Sequence, residues 1–387
     1  MKLDNKNLTK IQIKTLDVKK DKTVLALGAE LKANFCIIQG RTAFLYSGFD
    51  DLKNPFFFNK YKKSLDTQLK KLSRKPQLIA HDLNSSFFST RLAKELKEKS
   101  LKSSRIAPIQ HHYAHVGGAL ASLDILDKTV IGISCDGTGL GDDGKVWGCE
   151  FIVYEKKDYN RQGHLNEIAL PGSDKAVHEP WRVGVALLYK VYGRKLLSLK
   201  LPWIKNKKYI INILIDMIER DVNTPLATSA GRLFDGVAGI CGLCFKIKYE
   251  AQGAITLQKY AQKAILRQRG SYEFSIKKEN GLFVINTDEM IRAIVDDLVK
   301  KKSIDDIAAC FHNTFSQMLI TMCVKIGSRD KINNVVLSGG VFFNEIISKQ
   351  VTAGLNKREF NVHIPEKLFL GDTGLSLGQA VIAAYSV

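Results

Sequence analysis

Three of the chain's eight histidines fall within five residues, in Gln110-His111-His112-Tyr113-Ala114-His115. His111 and His115 stand four apart, so on a helix they share one face and can address one ion, while His112 sits off that face. Neutral imidazole suits Zn or Fe. Two histidines complete only half of a tetrahedral site, so an oxygen ligand has to come from another segment. The apolar run Val130-Ile131-Gly132-Ile133 leads into Ser134-Cys135-Asp136-Gly137-Thr138-Gly139 and delivers Asp136 to a glycine-rich turn. The same pattern also describes a plain helix start with incidental histidines, and spacing alone leaves both readings standing.

Glycine turns beside strands let backbone N–H groups approach phosphate oxygens. Three candidates occur: Gly28, the turn Asp136-Gly137-Thr138-Gly139, and Ser338-Gly339-Gly340. Together they point to a nucleotide held in a cleft, although none forms a Walker A loop or a dinucleotide fingerprint. Ser229-Ala230-Gly231-Arg232-Leu233-Phe234-Asp235 offers a glycine for close approach and a carboxylate for ribose hydroxyls. It also reads as an ordinary helix start with Ser229 as N-cap. Asp372, in Gly371-Asp372-Thr373-Gly374, serves either as the N-cap of the last expected helix or as a further ligand facing the histidines across the cleft. The pair Cys241 and Cys244 has metal or redox spacing, but without a second pair and in apolar surroundings it reads as packing. No Gly-x-Ser-x-Gly turn supports Ser-His-Asp chemistry.

Elements must position these groups. Strands are expected over 23–27, 34–39 and 41–46, a helix over 56–72, a strand over 77–81, a helix over 90–99 and a strand over 106–109. The last of these opens into the histidine stretch, which can continue as a helix over 116–123. The pattern then restarts with strands over 130–135 and 145–154. It resumes after 304–326, a helix, with a strand over 335–337, a helix over 342–350, a strand over 362–365 and a helix over 371–384. Two passes of this kind predict an α/β fold of duplicated ribonuclease-H-like lobes. The expected division is a basic leader over 1–20, a first lobe over 21–127 and a second lobe over 128–387. A mostly helical insertion over about 165–300 interrupts the second lobe, with helix-like 182–192 and a hairpin over 272–284 turning near Asn280-Gly281.

At 387 residues the chain exceeds one ordinary core. Its 45% hydrophobic and 25% charged content is that of a soluble globular protein. No apolar h-region marks a signal peptide, and no run approaches the roughly 18 apolar residues of a membrane helix, so neither export nor a membrane is expected. Seven cysteines, an odd number, fit reduced thiols in the cytoplasm. The net charge of +19 comes mostly from lysines spread along the chain, which reads as solvated faces rather than a nucleic-acid surface.

The motifs as a set resemble the C-terminal part of HypF, the carbamoyltransferase family of nickel–iron hydrogenase maturation. They are the histidine stretch, the run from Asp136 to Trp147-Gly148-Cys149-Glu150-Phe151, and Leu170-Pro171-Gly172-Ser173-Asp174-Lys175-Ala176 with Glu179-Pro180-Trp181-Arg182. Ser229 to Asp235, Tyr249-Glu250-Ala251-Gln252, Ser338-Gly339-Gly340-Val341-Phe342-Phe343-Asn344 and the segment from Asp372 to Gln379 complete the set. The resemblance covers about residues 20–387. It implies an actin-like (ASKHA) fold, shared with tRNA threonylcarbamoyladenosine transferases and antibiotic O-carbamoyltransferases. It implies a metal on His111, His115, Asp136 and Asp372. It also implies adenine-nucleotide contacts (carbamoyl-adenylate, ATP or AMP, with Mg as an optional companion) at Gly137, Thr138, Gly139, Gly231, Asp235, Gly339, Gly340 and Asn344. The implied reaction passes a carbamoyl group from carbamoyl-adenylate to the C-terminal cysteine thiol of the partner HypE, whose thiocarboxamide becomes cyanide.

A thiol attacks only as thiolate, which a cationic site favours, and Lys175 and Arg182 are the candidates for that charge. Two departures stand out. Acylphosphatase-like, zinc-finger and adenylate-forming modules precede this part in the family and are not found here, so a separate adenylate-forming protein is expected. Where the family has His-Pro after Asp-Leu, this chain reads Asp82-Leu83-Asn84-Ser85-Ser86. The competing readings are a tRNA-modifying transferase and a non-catalytic scaffold.

Overall fold

The computed structural model describes residues 9–13, 22–268 and 270–385. In chain order the strands are β1 (Thr9–Ile13), β2 (Thr23–Ala26), β3 (Phe35–Gln39), β4 (Thr42–Ser47), β5 (Leu78–Asp82) and β6 (Arg105–Ile109), then β7 (Val130–Leu140), β8 (Val146–Glu155) and β9 (Asp158–Leu165). They continue as β10 (Ile168–Ala169), β11 (Leu226–Ala227), β12 (Ser275–Glu279), β13 (Leu282–Asn286), β14 (Asn334–Ser338) and β15 (Asn361–His363). The helices are α1 (Pro55–Lys71), α2 (Phe88–Lys99), α3 (His111–Ser122), α4 (Asp174–His178), α5 (Pro180–Tyr192), α6 (Pro202–Glu219) and α7 (Ala230–Ile240). After them come α8 (Gln252–Ala264), α9 (Asp288–Val299), α10 (Ile304–Asp330), α11 (Glu345–Asn356), α12 (Lys367–Leu370) and α13 (Leu375–Tyr385).

Two sheets carry the duplication. The first has the order β1-β4-β3-β2-β5-β6, and the path of the second is β12-β13-β9-β8-β7-β14-β15. Without the added edge strands both read third-second-first-fourth-fifth: an antiparallel meander with two parallel strands beside its first member. The parallel strands are buried throughout where helices cover both faces, as in β5, Leu-Ile-Ala-His-Asp, with every residue buried. This is the duplicated ribonuclease-H-like, actin-like architecture. The insertion adds helices α4–α9 and a hairpin whose Asn280 and Gly281 both take positive φ, as a type I′ turn requires. Its strand β13 pairs parallel with β9 and widens the second sheet.

The expected leader is corrected at Thr9–Ile13, which pairs antiparallel with β4 as an edge strand; the rest of 1–20 except those residues lies outside the described residues. The expected strand over 130–135 runs on to Leu140, with a register irregularity between Cys135 and Gly139. The pleat that began apolar continues through Asp136 and Gly137, so these sit on a bulged strand and not on a free turn. Of the export and membrane expectation, only the reading that no run is apolar enough to cross a membrane changes. Helix α10 is long and apolar enough to cross a membrane by length and composition, and 78% of its most apolar window is buried in the protein, where Phe311, Phe315 and Leu319 pack into the main core.

The two lobes exchange their last helices. Helix α13, late in the chain, packs on the first sheet, and its Leu375, Leu377, Ala380 and Val381 share a core with Val24, Ala26, Cys36 and Ile38. Helix α3 lies against the second sheet, where Val116, Ala119 and Leu120 meet Val130, Ile152 and Val336. The boundary expected at residue 127 therefore divides the sequence but not the cores. The two helices cross at backbone contact. A Cβ added at Gly378 would lie 1.7 Å from the Ala114 carbonyl oxygen, and one at Gly118 would lie 2.6 Å from the Gly374 carbonyl oxygen.

No neighbour can yield at such a contact, because both partners are backbone. Gly378→Ala should therefore cost about 3 kcal/mol or more, the upper end of overpacking penalties. Gly144→Ala, where the added Cβ meets nothing within 4 Å, should cost only the strain of its positive φ, about 1 kcal/mol. Thermal unfolding of the two variants side by side checks this, and equal melting temperatures would refute the tight crossing.

Candidate active site

Helix α3 begins at His111 because Gln110 caps it, its side chain accepting from the Tyr113 N–H at 2.8 Å. That start places His111 and His115 on one face, with 2% and 1% of their surface exposed. Asp136 arrives on β7 and Asp372 on the 3-10 turn Asp372–Gly374 that leads into α13. His115 Nε2 lies 3.3 Å from both Asp136 Oδ2 and Asp372 Oδ1, while His111 Nε2 is 3.5 Å and 3.9 Å from the same two atoms. One ligand atom from each of the four residues falls within 4.8 Å of all the others. Asp372 does not cap a helix with its side chain; the carboxylate points into this cluster.

Electrostatics show what the cluster is built around. Burial on its own would favour neutral His111, but Asp82, Asp136 and Asp372 outweigh burial and raise its pKa well above the ordinary imidazole value. Burial is likewise outweighed at His115, by Asp136 and Asp372, and its pKa rises. Burial would raise Asp136, but the two imidazoles hold its pKa well below the carboxylate range. His112, buried and beside these two rings, is pushed well down. Positive charge is stabilised at the centre of the four groups. The Nε2 atoms of His111 and His115 are buried and have no hydrogen-bond partner among the described residues. Two imidazole nitrogens and two carboxylates form a donor set that fits Zn or Fe.

Asp82 is the residue that sequence reasoning missed. Fully buried at the end of β5, it takes the His111 Nδ1 at 2.7 Å through Oδ2, while its Oδ1 accepts the Asn84 N–H at 2.9 Å. A carboxylate behind a ligating histidine fixes the tautomer and leaves Nε2 for the ion. Asp82 stood in the segment where the motif departs from the family, but nothing in the sequence tied it to a histidine 29 positions away.

A cleft of about 460 Å³ opens beside the cluster, with Asp136 and Asp372 on its wall. Of the expected nucleotide residues, Gly137, Gly231, Asp235, Gly340 and Asn344 line it, whereas Thr138, Gly139 and Gly339 do not. Thr138 is exposed, and Gly139 backs the histidines, since a Cβ there would lie 2.6 Å from His112 Cε1. Gly339, at φ +96, passes the Cys135 carbonyl oxygen so closely that a Cβ would lie 2.2 Å from it. Gly28 is also displaced from a phosphate role, because its N–H donates to Gln379 Oε1 at 2.8 Å. Ser229 is an N-cap, as one reading had it, and accepts from the Arg232 N–H at 3.1 Å. Asn344 caps α11 through Oδ1, and its Nδ2 donates to His312 Nε2 at 3.0 Å.

Lys175 and Arg182 are corrected. Lys175 is exposed on α4, and Arg182 is committed to Glu179 at 2.5 Å with only 7% of its side chain exposed; neither lines the cleft. The motif that carries them folds back on its own loop. The cations that do line the cleft are Lys32, paired with Glu250 at 3.0 Å, and Arg232. Cys241 and Cys244 are free thiols at the edge of the main core.

Comparison with known proteins places this arrangement. Residues 19–122 match the family model of the HypF Kae1-like domain, and residues 132–379 match that of the carbamoyltransferase Kae1-like domain, second subdomain. A carbamoyltransferase HypF homolog of Cupriavidus necator is 32% identical over 364 residues, which is 93% of this chain and 91% of that protein. A probable carbamoyltransferase HypF of Methanocaldococcus jannaschii is 29% identical over 371 residues, 95% of this chain but 47% of its own length. A crystal structure of full-length HypF in its phosphate- and nucleotide-bound form superimposes with a TM-score of 0.88 at 32% identity, covering 97% of this chain and 57% of that one. The chain thus spans about half the length of several relatives that it matches.

Asp82→Asn should keep the fold and lower affinity for Zn or Fe about 10–100-fold, and His111→Ala or His115→Ala should abolish tight binding; metal analysis of the purified variants reads this out. An ion has to displace protons from two imidazoles whose pKa values are raised, so metal affinity should strengthen as pH rises through and above the ordinary imidazole range. Elsewhere in the site, burial lowers the pKa of His312 to about 4. The unfolded chain takes up that proton near pH 6.5, so this residue's share of stability is intact above about pH 6.5 and is lost as pH falls toward 4. Urea titrations of His312→Gln should show a shallower loss of stability over that window than the parent, and parallel slopes would exclude the effect.

Proposed function

The chain belongs to the HypF family of carbamoyltransferases, and we propose that its cleft passes a carbamoyl group from carbamoyl-adenylate to the C-terminal cysteine thiol of a HypE-like acceptor protein. The resulting thiocarboxamide feeds cyanide-ligand synthesis in hydrogenase maturation. One observation carries the reading: Asp136 and Asp372 belong at once to the ion-binding cluster and to the wall of the cleft that holds the ribose candidate Asp235. A metal centre and a nucleotide site that share two side chains put an electrophilic centre beside an adenylate. The relative solved with phosphate and nucleotide bound supports the same occupant.

Each residue has a part. His111 and His115, with Asp136 and Asp372, would hold Zn or Fe, which supplies a Lewis acid for oxygen atoms that gain charge during transfer. Asp235, 4% exposed on its side chain, offers charged acceptors to ribose hydroxyls. Burial raises its pKa, so a hydroxyl that donates to it relieves the cost of its charge. Gly137 and Gly231 pass within contact of each other, a Cβ on Gly231 lying 2.9 Å from the Gly137 Cα, and their lack of side chains keeps the floor open to the phosphate. His312 holds Asn344 in place at the far wall. Carbamoyl-adenylate is a mixed anhydride with AMP as its leaving group, so the work of this site is orientation and charge stabilisation. Making the adenylate requires the carbamate to be aligned for attack on the α-phosphate, which is separate work. We assign that step to an adenylate-forming site other than this cleft.

Given preformed carbamoyl-adenylate and a peptide ending in cysteine, the purified chain should release AMP and add a carbamoyl group to the peptide, as mass spectrometry will show. Given only carbamoyl phosphate and ATP it should be nearly inert. Asp235→Ala should weaken adenine-nucleotide binding by about 1–3 kcal/mol. Failure to transfer from preformed adenylate would overturn the proposal, and brisk turnover from carbamoyl phosphate and ATP would overturn the division of labour.

A further inference from the structure

The cleft has an unbalanced wall. Its ionisable side chains are Asp136, Asp235, Glu250 and Asp372 against Lys32 and Arg232. A phosphate brought in beside four carboxylates needs a cation that is both close and fixed. Lys32 is neither buried nor free: 45% of its side chain is exposed and it pairs with Glu250, itself 60% exposed. Arg232 differs on each count. Its side chain is 9% exposed, and only Nη2 is engaged by a carboxylate, Asp235 Oδ2 at 3.1 Å. Nε and Nη1 are buried donors without a hydrogen-bond partner among the described residues. An arginine gives up hydration on all its donors when buried, and two unmatched donors are a cost that the fold carries to hold a fixed charge in this wall.

The backbone holds this guanidinium at the phosphate end of the cleft. Ser229, two residues before Gly231 and three before Arg232, donates its hydroxyl to the Gly137 carbonyl oxygen and accepts the Arg232 N–H. The close passage of Gly231 over Gly137 locks the first turn of α7 to the bulged strand, and Nη2 lies 3.8 Å from where a Cβ of Gly137 would stand. Arg232 Nη2 therefore meets the ribose candidate Asp235 on one side and comes close to Gly137, the neighbour of Asp136, on the other.

We propose that Arg232 binds the phosphate of the adenylate and takes up the charge that collects on it during transfer, an inference that rests on the nucleotide reading of the cleft. The acceptor thiol, its proton lost to solvent, attacks as thiolate. A bond forms between sulfur and the carbamoyl carbon, and the bond from that carbon to the phosphate oxygen breaks. The electron pair stays on the phosphate oxygen, whose group passes from one negative charge in the anhydride to two in AMP. A fixed guanidinium favours the second state over the first, which is what lowers a barrier. The Asp235 ion pair keeps Arg232 in place, with Nη2 beside Gly137 at the cleft.

Calorimetric titration of the purified chain with AMP and with adenosine separates phosphate recognition from ribose recognition. In Arg232→Met, AMP affinity should fall about 10-fold or more while adenosine affinity stays within about two-fold, because only AMP carries the group that arginine meets. Arg232→Lys, which keeps a charge but not the planar donors, should recover part of the AMP loss. With preformed carbamoyl-adenylate, the Met variant should lose kcat more than KM. Equal weakening of AMP and adenosine would show that Arg232 only props Asp235, and undiminished AMP binding would show that it does nothing for the phosphate; either result overturns the proposal. A parent chain that binds neither ligand would overturn the nucleotide reading itself. Should the Met variant fail to fold, the Lys variant must still show the selective loss of AMP, or the assignment falls.

Discussion

Two helices that cross with no side chain between them place three of the four side chains of the His-Asp cluster, His111, His115 and Asp372. Gly118, Gly374 and Gly378 let α3 and α13 meet at backbone distance. His111 and His115 lie at the start of one helix, and Asp372 lies one turn before the other. Were the helices spaced by ordinary side chains at 8–10 Å, the imidazoles and the carboxylate could not converge on one point. The proposed ion would need that convergence, because an ion tolerates errors of only a few tenths of an ångström in its ligand distances. Glycine at the crossing is thus a requirement of that convergence, expressed within about two helical turns of the clustered residues.

The bulge on β7 solves a second placement problem. A regular strand would alternate Asp136 and Gly137 to opposite faces with their partners in step on β8. The register irregularity between Cys135 and Gly139 takes both residues out of step with β8. Asp136 faces the histidines and accepts the Gly340 N–H at 3.3 Å, while Gly137 lies under Gly231. A single strand therefore contributes to both the His-Asp cluster and the cleft. The negative wall that results is offset by one buried guanidinium and one exposed ammonium, an arrangement with room for an anionic ligand and an ion together.

Much of this was legible in the residues. The interval of four between His111 and His115, the apolar run before Asp136, and the repeat of strand and helix patterns over both halves carry their meaning locally, and the structure brings the expected four side chains together. What was not legible depends on contacts distant in sequence. Asp82 meets His111 only because β5 and β6 are parallel neighbours, and no spacing rule reports that. Lys175 and Arg182 looked like cleft cations because their motif is rich in charge. The chain turns them onto their own loop, and Arg232, hidden inside the expected ribose motif, takes the cleft position. Gly28 and Gly339 needed their positive φ and close approach for tight passages, which a sequence cannot tell from phosphate cradles.

The exchange of α3 and α13 also has a consequence for how the molecule is made. The first sheet is synthesised early, yet the helix that covers one face of its core comes from residues 375–385. Gly28 and Gln379 are hydrogen-bonded across 351 positions. Closing a loop of that length costs about 5 kcal/mol of chain entropy, and no partial contact repays it in advance. On the ribosome the half-built first lobe must wait with an apolar face uncovered, and such intermediates are the usual substrates of chaperones. Asp372 arrives in the same late segment. A chain released before that point has the two histidines but lacks one carboxylate of the cluster, so the proposed ion site would be complete only in finished molecules.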